Sequence, residues 1–177
     1  MKKRLLCFTM LLTVTISAIT FTNNVKAATK WNTSKSVTKE ENGIKYSAYL
    51  TEDGKESWIY QIKLSKKITK LTLPKEINQA KLTRVGFGKE LYNKGEDEDA
   101  YQNLFGDTIE PWHNCYGDLS NDDKNKQTIE TVAIPGTVNQ LEIATFSGMK
   151  KLKSVVIPEQ TASVPAYTFA KCSALSK

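Results

Sequence analysis

The segment Ile129-Glu-Thr-Val-Ala-Ile-Pro135 recurs 23 residues later as Leu152-Lys-Ser-Val-Val-Ile-Pro158. The similarity continues through both units, and the further matched pairs are Leu141 with Val164, Thr145-Phe146 with Thr168-Phe169, Met149 with Cys172, and Leu152 with Leu175. A fixed period of this length is typical of a solenoid, in which each unit buries its apolar face only against its neighbours. The sequence therefore predicts a repeat architecture.

A third copy of the pattern lies earlier in the chain, at Ile68-x-x-Leu71-x-Leu73-Pro74. Its continuation, Leu82-x-x-Val85, corresponds to Val138-x-x-Leu141 if about five residues are inserted after the proline. The strands of these two units begin 61 positions apart instead of 23, at Ile68 and Ile129. The excess predicts an insertion, which we place at residues 88–127.

Each unit is expected to form a short parallel strand whose alternate apolar side chains point into the core. Proline then ends the strand, because its nitrogen cannot donate a hydrogen bond to the neighbouring strand. The segments 144–149 and 166–172 are too short for full helices and predict single helical or 3-10 turns. The predicted fold class is an α/β solenoid, rich in strand and poor in helix, over residues 67–177, with units near 68–87, 129–151 and 152–177.

Two segments with alternating apolar residues precede the repeats and predict a β-hairpin over residues 43–66. The residues on one side of its strands are Ile44, Tyr46, Ala48 and Leu50, then Trp58, Tyr60, Ile62 and Leu64. Such a hairpin is not stable alone, so we expect it to cap the open N-terminal end of the solenoid. The polar segment 28–42 before it predicts a flexible lead-in.

The first 27 residues, 1–27, have the features of a cleaved signal peptide. Met1-Lys-Lys-Arg4 is a basic start, Leu5–Phe21 is an uncharged apolar run, and compact residues precede a cut before Ala28. The run is short for a bilayer-spanning helix, so we expect no membrane span once the signal is removed.

The net charge gives no argument for a nucleic-acid partner. The whole chain carries a formal +6, but four of its 25 basic residues lie in the signal peptide, which contains no acidic residue. The remaining 21 basic residues against 19 acidic ones leave the mature chain at +2. Nucleic acid is therefore not an expected partner.

The two complete units resemble the BspA-like leucine-rich repeats of bacterial surface proteins. The resemblance rests on the strand and Ile-Pro pair of each unit, followed by Ala144-Thr-Phe-Ser-Gly-Met149 in one and Tyr167-Thr-Phe-Ala-Lys-Cys172 in the other. Thr in place of Ala before each Phe, Met149 in place of Cys, and the long insertion depart from the family pattern. The resemblance implies a leucine-rich repeat fold and a secreted or surface-attached bacterial protein that binds host proteins or other cells.

Residues between the core positions of the strands are expected to point outward and form a small surface. They are Lys70, Thr72, Thr131, Ala133, Ser154 and Val156. Function in repeat proteins usually lies on such extended surfaces, so these six residues are the first candidate binding site. A solvated sheet face without a partner is the alternative.

The insertion is the second candidate, because aromatic residues lie there among acidic ones. Tyr101, Trp112 and Tyr116 are suited to contact a protein or a glycan. The alternative is that these rings only hold the insertion against the cap.

No catalytic or metal-binding pattern is apparent, and we expect no enzyme activity, no cofactor and no bound metal. Asp118-x-Ser-x-Asp122 resembles a calcium loop but lacks the Gly and Glu that such a loop needs. His113 and Cys115 are close in sequence, yet side chains at i and i+2 rarely aim together. Cys172 occupies the repeat position of Met149 and is expected to be buried, while a disulfide between Cys115 and Cys172 stays open.

The leading hypothesis is a secreted or surface-exposed adhesion or host-interaction module that binds an extracellular protein or glycan ligand. The alternatives are a structural spacer, the N-terminal part of a larger surface protein, or an exported hydrolase whose site involves His113 or Cys115. Because the last unit stops after Leu175 without a cap, we expect either a C-terminal continuation or self-association.

Overall fold

The computed structural model describes residues 29–88, 91, 101–102, 104–105, 108–109 and 125–176. This part of the chain is rich in strand and almost free of helix, with a 3-10 turn at Lys126–Thr128. Its strands are β1 (Trp31–Glu41), β2 (Ile44–Thr51), β3 (Glu56–Leu64), β4 (Lys70–Thr72), β5 (Glu76–Ile77), β6 (Ala80–Val85), β7 (Tyr101–Gln102), β8 (Thr108–Ile109), β9 (Thr131–Ala133), β10 (Gln140–Leu141) and β11 (Ser154–Val156). No helix in the described ranges is long and apolar enough to cross a membrane. The predicted signal peptide lies outside these ranges.

The larger sheet has the strand order β1-β2-β3-β6-β10, with β5 paired to β6. Strands β1, β2 and β3 are antiparallel neighbours, whereas β3, β6 and β10 are parallel. In the β6–β10 pair, Leu141 lies beside Val85. This is the correspondence predicted from the apolar spacing of the first two units.

The smaller sheet consists of three parallel strands in the order β11-β9-β4. A core cluster draws on both sheets, and its members include Ile44, Ile59, Leu71, Leu82, Val132, Leu141 and Phe146. The open sheets and short strands are compatible with the repeat fold predicted from the sequence.

Residues 31–41 do not form the predicted flexible lead-in, because they pair with β2 as an 11-residue strand. Most of its side chains are exposed, and only Trp31, Val37 and Lys39 are half-buried. The segment has no apolar alternation because a strand at the edge of a sheet needs only a few inward side chains. Its order comes from backbone hydrogen bonds with β2.

The predicted alternation in β3 is interrupted by a β-bulge. Across from β2, Ser47 pairs with Gln61 but Ala48 pairs with Ile59, so Tyr60 is the extra residue. Ile59, Ile62 and Leu64 therefore join the core cluster, and Tyr60 does not. The extra residue reverses the side to which every residue before it points.

The segments predicted as helical or 3-10 turns in the two complete units are instead runs of hydrogen-bonded turns. Ala144 and Tyr167, which are equivalent in the repeat, both have φ of 59°. Gly148 and Lys171, again equivalent, have φ of 79° and 60°. A left-handed residue cannot continue a right-handed helix, so the turns close separately.

Most of the predicted insertion 88–127 lies outside the described residues, but two of its residues pack into the core. Leu104 and Phe105 are buried members of the core cluster. The backbone N–H of Leu104 donates to the carbonyl of Thr145 at 2.9 Å, and that of Ile62 donates to the carbonyl of Leu104 at 2.8 Å. The insertion thus returns to the core between β3 and the unit 129–151.

We expect Gly86→Ala to lower the free energy of unfolding by at least about 2 kcal/mol, because strain and overpacking combine there. Gly86 has φ of +112°, and a Cβ atom would overlap Thr145 Oγ1 and lie 2.7 Å from Glu142 Cβ. Gly54→Ala is the matched control, since φ is +69° but nothing lies within 4 Å of its added Cβ. That variant should lose only about 1 kcal/mol in urea unfolding. Equal losses for the two variants would contradict the close approach at Gly86.

Candidate functional site

The six outward residues predicted on the strands lie together on the smaller sheet. Across it, Lys70 and Ser154 flank Thr131 in one row, and Thr72 and Val156 flank Ala133 in the other. The 23-residue shift in sequence is therefore the register of β9 against β11. We call these two rows the strand face.

The residue at the centre of each strand points the other way, into the core. Leu71 and Val132 are buried and Val155 is half-buried. The members of the strand face are exposed or half-buried, and Val156 is 76% exposed. The face thus combines methyl groups and hydroxyl groups with the ammonium group of Lys70 at one end.

An ion pair lies immediately before the strands. Lys153 Nζ contacts Glu130 Oε2 at 2.9 Å, with both side chains well exposed to solvent. The hydrogen bond from Lys153 lowers the pKa of the Glu130 carboxyl group. Because exposed pairs contribute little to stability, this pair is more important for the charge pattern beside the strand face than for the fold.

A cleft of about 420 Å³ runs beside β4, next to Lys70 and Thr72. Its lining residues are Glu41, Asn42, Ile44, Tyr46, Lys66, Ile68, Lys70, Thr72, Leu73 and Pro74. The Tyr46 hydroxyl donates to the Thr72 carbonyl at 3.3 Å. Burial raises the pKa of Tyr46 to about 12, so the hydroxyl keeps its proton and remains a donor. Sequence reasoning missed this cleft, because its walls come from two sheets that the alternation pattern does not place together.

A second polar and aromatic cluster, also not predicted, lies on the larger sheet and joins β6 to the residue that follows β10. Arg84 Nε lies 2.7 Å from Glu142 Oε1, and the two side chains are 5% and 13% exposed. The guanidinium carbon of Arg84 lies 3.7 Å from the centroid of the Trp58 ring, a cation–π contact. A buried, hydrogen-bonded pair of this kind holds β6 to the end of β10.

The remaining predicted site residues are not placed with the strand face. Tyr101 begins β7, which pairs with β8, but its side chain is not among the described ones. Trp112 and Tyr116 lie outside the described residues. The same holds for His113, Cys115 and the Asp118–Asp122 segment, so the alternatives built on them stay predictions.

Cys172 is buried, as its position in the repeat predicts, with 8% of its surface exposed. Its thiol donates to the carbonyl of Phe146 at 3.2 Å. Among the residues that the structure describes, no group of three His, Cys, Asp or Glu side chains could hold a metal ion.

Comparison with known families finds a match for the C-terminal units. Residues 124–177 match the family described as a BspA type leucine rich repeat region (6 copies). The resemblance predicted from the sequence is thereby confirmed over this segment, which holds the two units with the 23-residue period. The unit near 68–87 lies outside the matched residues. No curated protein and no solved structure matches the chain.

We expect stability to fall between pH 9 and pH 11 through deprotonation of Cys172. Burial raises the pKa of this thiol to about 11 from an ordinary value of 9.0. The folded state therefore holds the proton more tightly than the unfolded state, so the stabilisation is complete below pH 9 and is lost as pH rises through this window. Urea unfolding from pH 8 to pH 10 measures the slope mostly below the pH at which Tyr46 and Tyr49 contribute, since burial raises the pKa of both from the ordinary value of 10.0.

The Cys172→Ala variant is the control for this pH dependence. It lowers stability at every pH because it removes a buried sulfur atom, by about 1 kcal/mol or more. Its loss relative to the unaltered chain should shrink as pH rises above 9. A constant difference would show that Cys172 does not titrate in this range.

Proposed function

Because residues 124–177 are BspA-type leucine-rich repeats, we propose that the chain is an exported binding protein that recognises an extracellular protein through its strand face. Leucine-rich repeat regions of this family are generally non-enzymatic modules for protein interaction, and the proteins that carry them are often extracellular or surface-associated. Adhesion, and the identity of the ligand, belong to the proposal.

The observation that carries this proposal is the alignment of six outward side chains in two rows across three parallel strands. Neighbouring parallel strands lie about 4.8 Å apart, so three strands place matched side chains over a continuous strip. One row carries a cation and two hydroxyl groups, and the other carries one hydroxyl group and the apolar side chains of Ala133 and Val156. Such a surface can donate and accept hydrogen bonds while burying Val156 against a partner.

We propose that this surface is part of a solenoid. Backbone hydrogen bonds link equivalent positions of the two units: Lys153 N–H to the Glu130 carbonyl at 2.7 Å, and Ala162 N–H to the Asn139 carbonyl at 3.0 Å. In this arrangement the N-terminal strands act as a cap. The parallel pairing of β3 with β6 supports that role, because it continues one wall of the repeat core towards the N-terminus.

Export is tested by identifying the first residue of the protein recovered from the medium or from the cell surface. We expect Ala28 as the first residue, since the basic start, apolar run and compact residues before it form a signal for cleavage. Mass spectrometry of the intact chain measures the cut. A chain lacking residues 1–27 should remain inside the cell. Recovery of an uncleaved chain in the cytoplasm would contradict the proposal.

Binding is tested with an array of matrix proteins, mucins and cell-wall glycans. We expect Thr131→Glu, Ser154→Glu and Val156→Glu each to weaken binding about tenfold or more, because each places a charge on the strand face. Thr38→Glu is the matched control, as Thr38 is exposed on β1 outside this face. Binding unaffected by the three face variants would refute the assignment, and binding confined to glycans would replace the protein ligand by a glycan.

A further inference from the structure

Strand β4 is the last strand of the smaller sheet, and its outer edge faces the cleft beside Tyr46. The backbone of β4 alternates in direction: the Thr69 carbonyl accepts from Thr131 N–H at 3.1 Å, and Leu73 N–H donates to the Ala133 carbonyl at 3.0 Å. Residues at even positions between them therefore direct their polar backbone groups away from β9. These are Lys70 and Thr72.

Of the outward groups, the Thr72 carbonyl accepts the hydrogen bond from Tyr46. The Lys70 carbonyl and the Thr72 N–H flank Leu71, and no strand in the described ranges pairs with this edge. In a parallel ladder, one residue of the added strand donates its N–H to the Lys70 carbonyl, and its own carbonyl accepts from the Thr72 N–H. The edge thus offers both the acceptor and the donor that one residue of an added parallel strand requires.

The cleft supplies an apolar floor for the side chains of such a strand. Ile44, Tyr46 and Leu73 are buried residues that line it, and Ile68 and Pro74 are half-buried. An added strand turns alternate side chains towards this floor and the others towards solvent. A ligand with small apolar side chains at every second position fits this requirement.

The charges around the cleft favour an acidic ligand. Lys66 and Lys70 line it and form no ion pair with any other residue that the structure describes. Glu41, the acidic residue of the lining, is already paired with Lys39 at 3.2 Å. Lys67 and Lys75 are exposed close by in sequence. Glu76 is exposed beside Lys75, so four lysines stand against the two glutamates Glu41 and Glu76 around this edge. The net charge there is positive and attracts carboxylates on the outward positions of the ligand.

We propose that β4 binds an extended acidic peptide segment of a partner protein, which adds to the sheet as a parallel strand. Main-chain hydrogen bonds to Lys70 and Thr72 position the segment, the apolar floor accepts every second side chain, and Lys66 and Lys70 meet its carboxylates. This inference deepens the proposed function, because Lys70 and Thr72 belong to the strand face as well as to the edge.

The first test uses a short blocked peptide of alternating Glu and Val residues, titrated into the ¹⁵N-labelled chain. We expect shifts at the amides of Lys70 and Thr72, and a loss of affinity of about tenfold or more in Lys70→Glu and in Lys66→Glu. Lys63→Glu is the matched control, as Lys63 is exposed on β3 outside the cleft. Equal binding of a Lys–Val peptide, or no binding of the Glu–Val peptide at millimolar concentration, would overturn the proposal.

A second test uses backbone methylation, which removes peptide donors without changing side chains. Successive N–H groups of a strand point in opposite directions. Methylation of the set facing β4 should therefore abolish binding, while methylation of the other set leaves it within about twofold. If neither methylated peptide loses binding, the peptide contacts only side chains, and the proposed strand addition is wrong.

Ser154→Glu and Val156→Glu separate this inference from the proposed function. Both residues lie on β11, two strands away from the edge of β4, so these variants should impair the extracellular partner's binding to the strand face and spare the acidic peptide. If these variants weaken peptide binding as much as Lys70→Glu does, the edge assignment is wrong and the assignment of the strand face still stands. If the chain forms a dimer that Lys70→Glu dissociates, and no peptide binds, the edge binds a second copy of the chain and the peptide proposal is wrong.

Discussion

The structure depends on one constraint: each residue of the second complete unit lies beside its counterpart 23 residues earlier, as Ser154 lies beside Thr131. Backbone hydrogen bonds reinforce this spacing beyond the strand, since Ala162 N–H donates to the carbonyl of Asn139, 23 residues earlier, at 3.0 Å. In the turns, Phe146 N–H donates at 2.9 Å to the carbonyl of Thr168, the residue before its counterpart Phe169. An insertion or deletion inside a unit would shift every later pair, so the apolar positions have little freedom.

Thr145 and Thr168, which stand in place of the Ala of the family pattern, make equivalent local hydrogen bonds in the two units. The hydroxyl of Thr145 donates to the carbonyl of Glu142 at 2.6 Å, and the hydroxyl of Thr168 donates to the carbonyl of Pro165 at 2.7 Å. Both bonds span three residues and both Thr residues are buried. The hydroxyl thus satisfies a carbonyl at the start of the turn that an Ala side chain would leave to another donor. The adjacent rings of Phe146 and Phe169 stack with centroids 5.8 Å apart.

The sequence sufficed to predict the strands of the repeat because their apolar positions recur with a fixed period. It also sufficed to place the six residues of the strand face side by side, because they are the ones between the core positions. It failed at β1, where a polar strand is ordered by backbone pairing, and at Tyr60, where a bulge reverses the alternation without a Gly or Pro to mark it. The Arg84–Glu142 pair was missed although its partners, 58 positions apart, flank the predicted neighbours Val85 and Leu141, because the spacing of apolar residues does not indicate which polar side chains bond each other.

The two candidate surfaces differ in what determines them. The strand face consists of side chains that the repeat leaves free to vary, so its ligand depends on the identities of Thr131, Ser154 and Val156. The edge of β4 presents backbone groups whose direction follows from parallel pairing and would be the same for almost any side chain. Its selectivity must therefore come from the neighbourhood: the floor formed by Ile44 and Leu73, and the ammonium group of Lys66, which forms no ion pair within the described part of the chain. The middle strand β9 has neighbours on both sides, so a strand-adding ligand can reach this sheet only at its edges, and of the two edges β4 is the one bordered by the cleft.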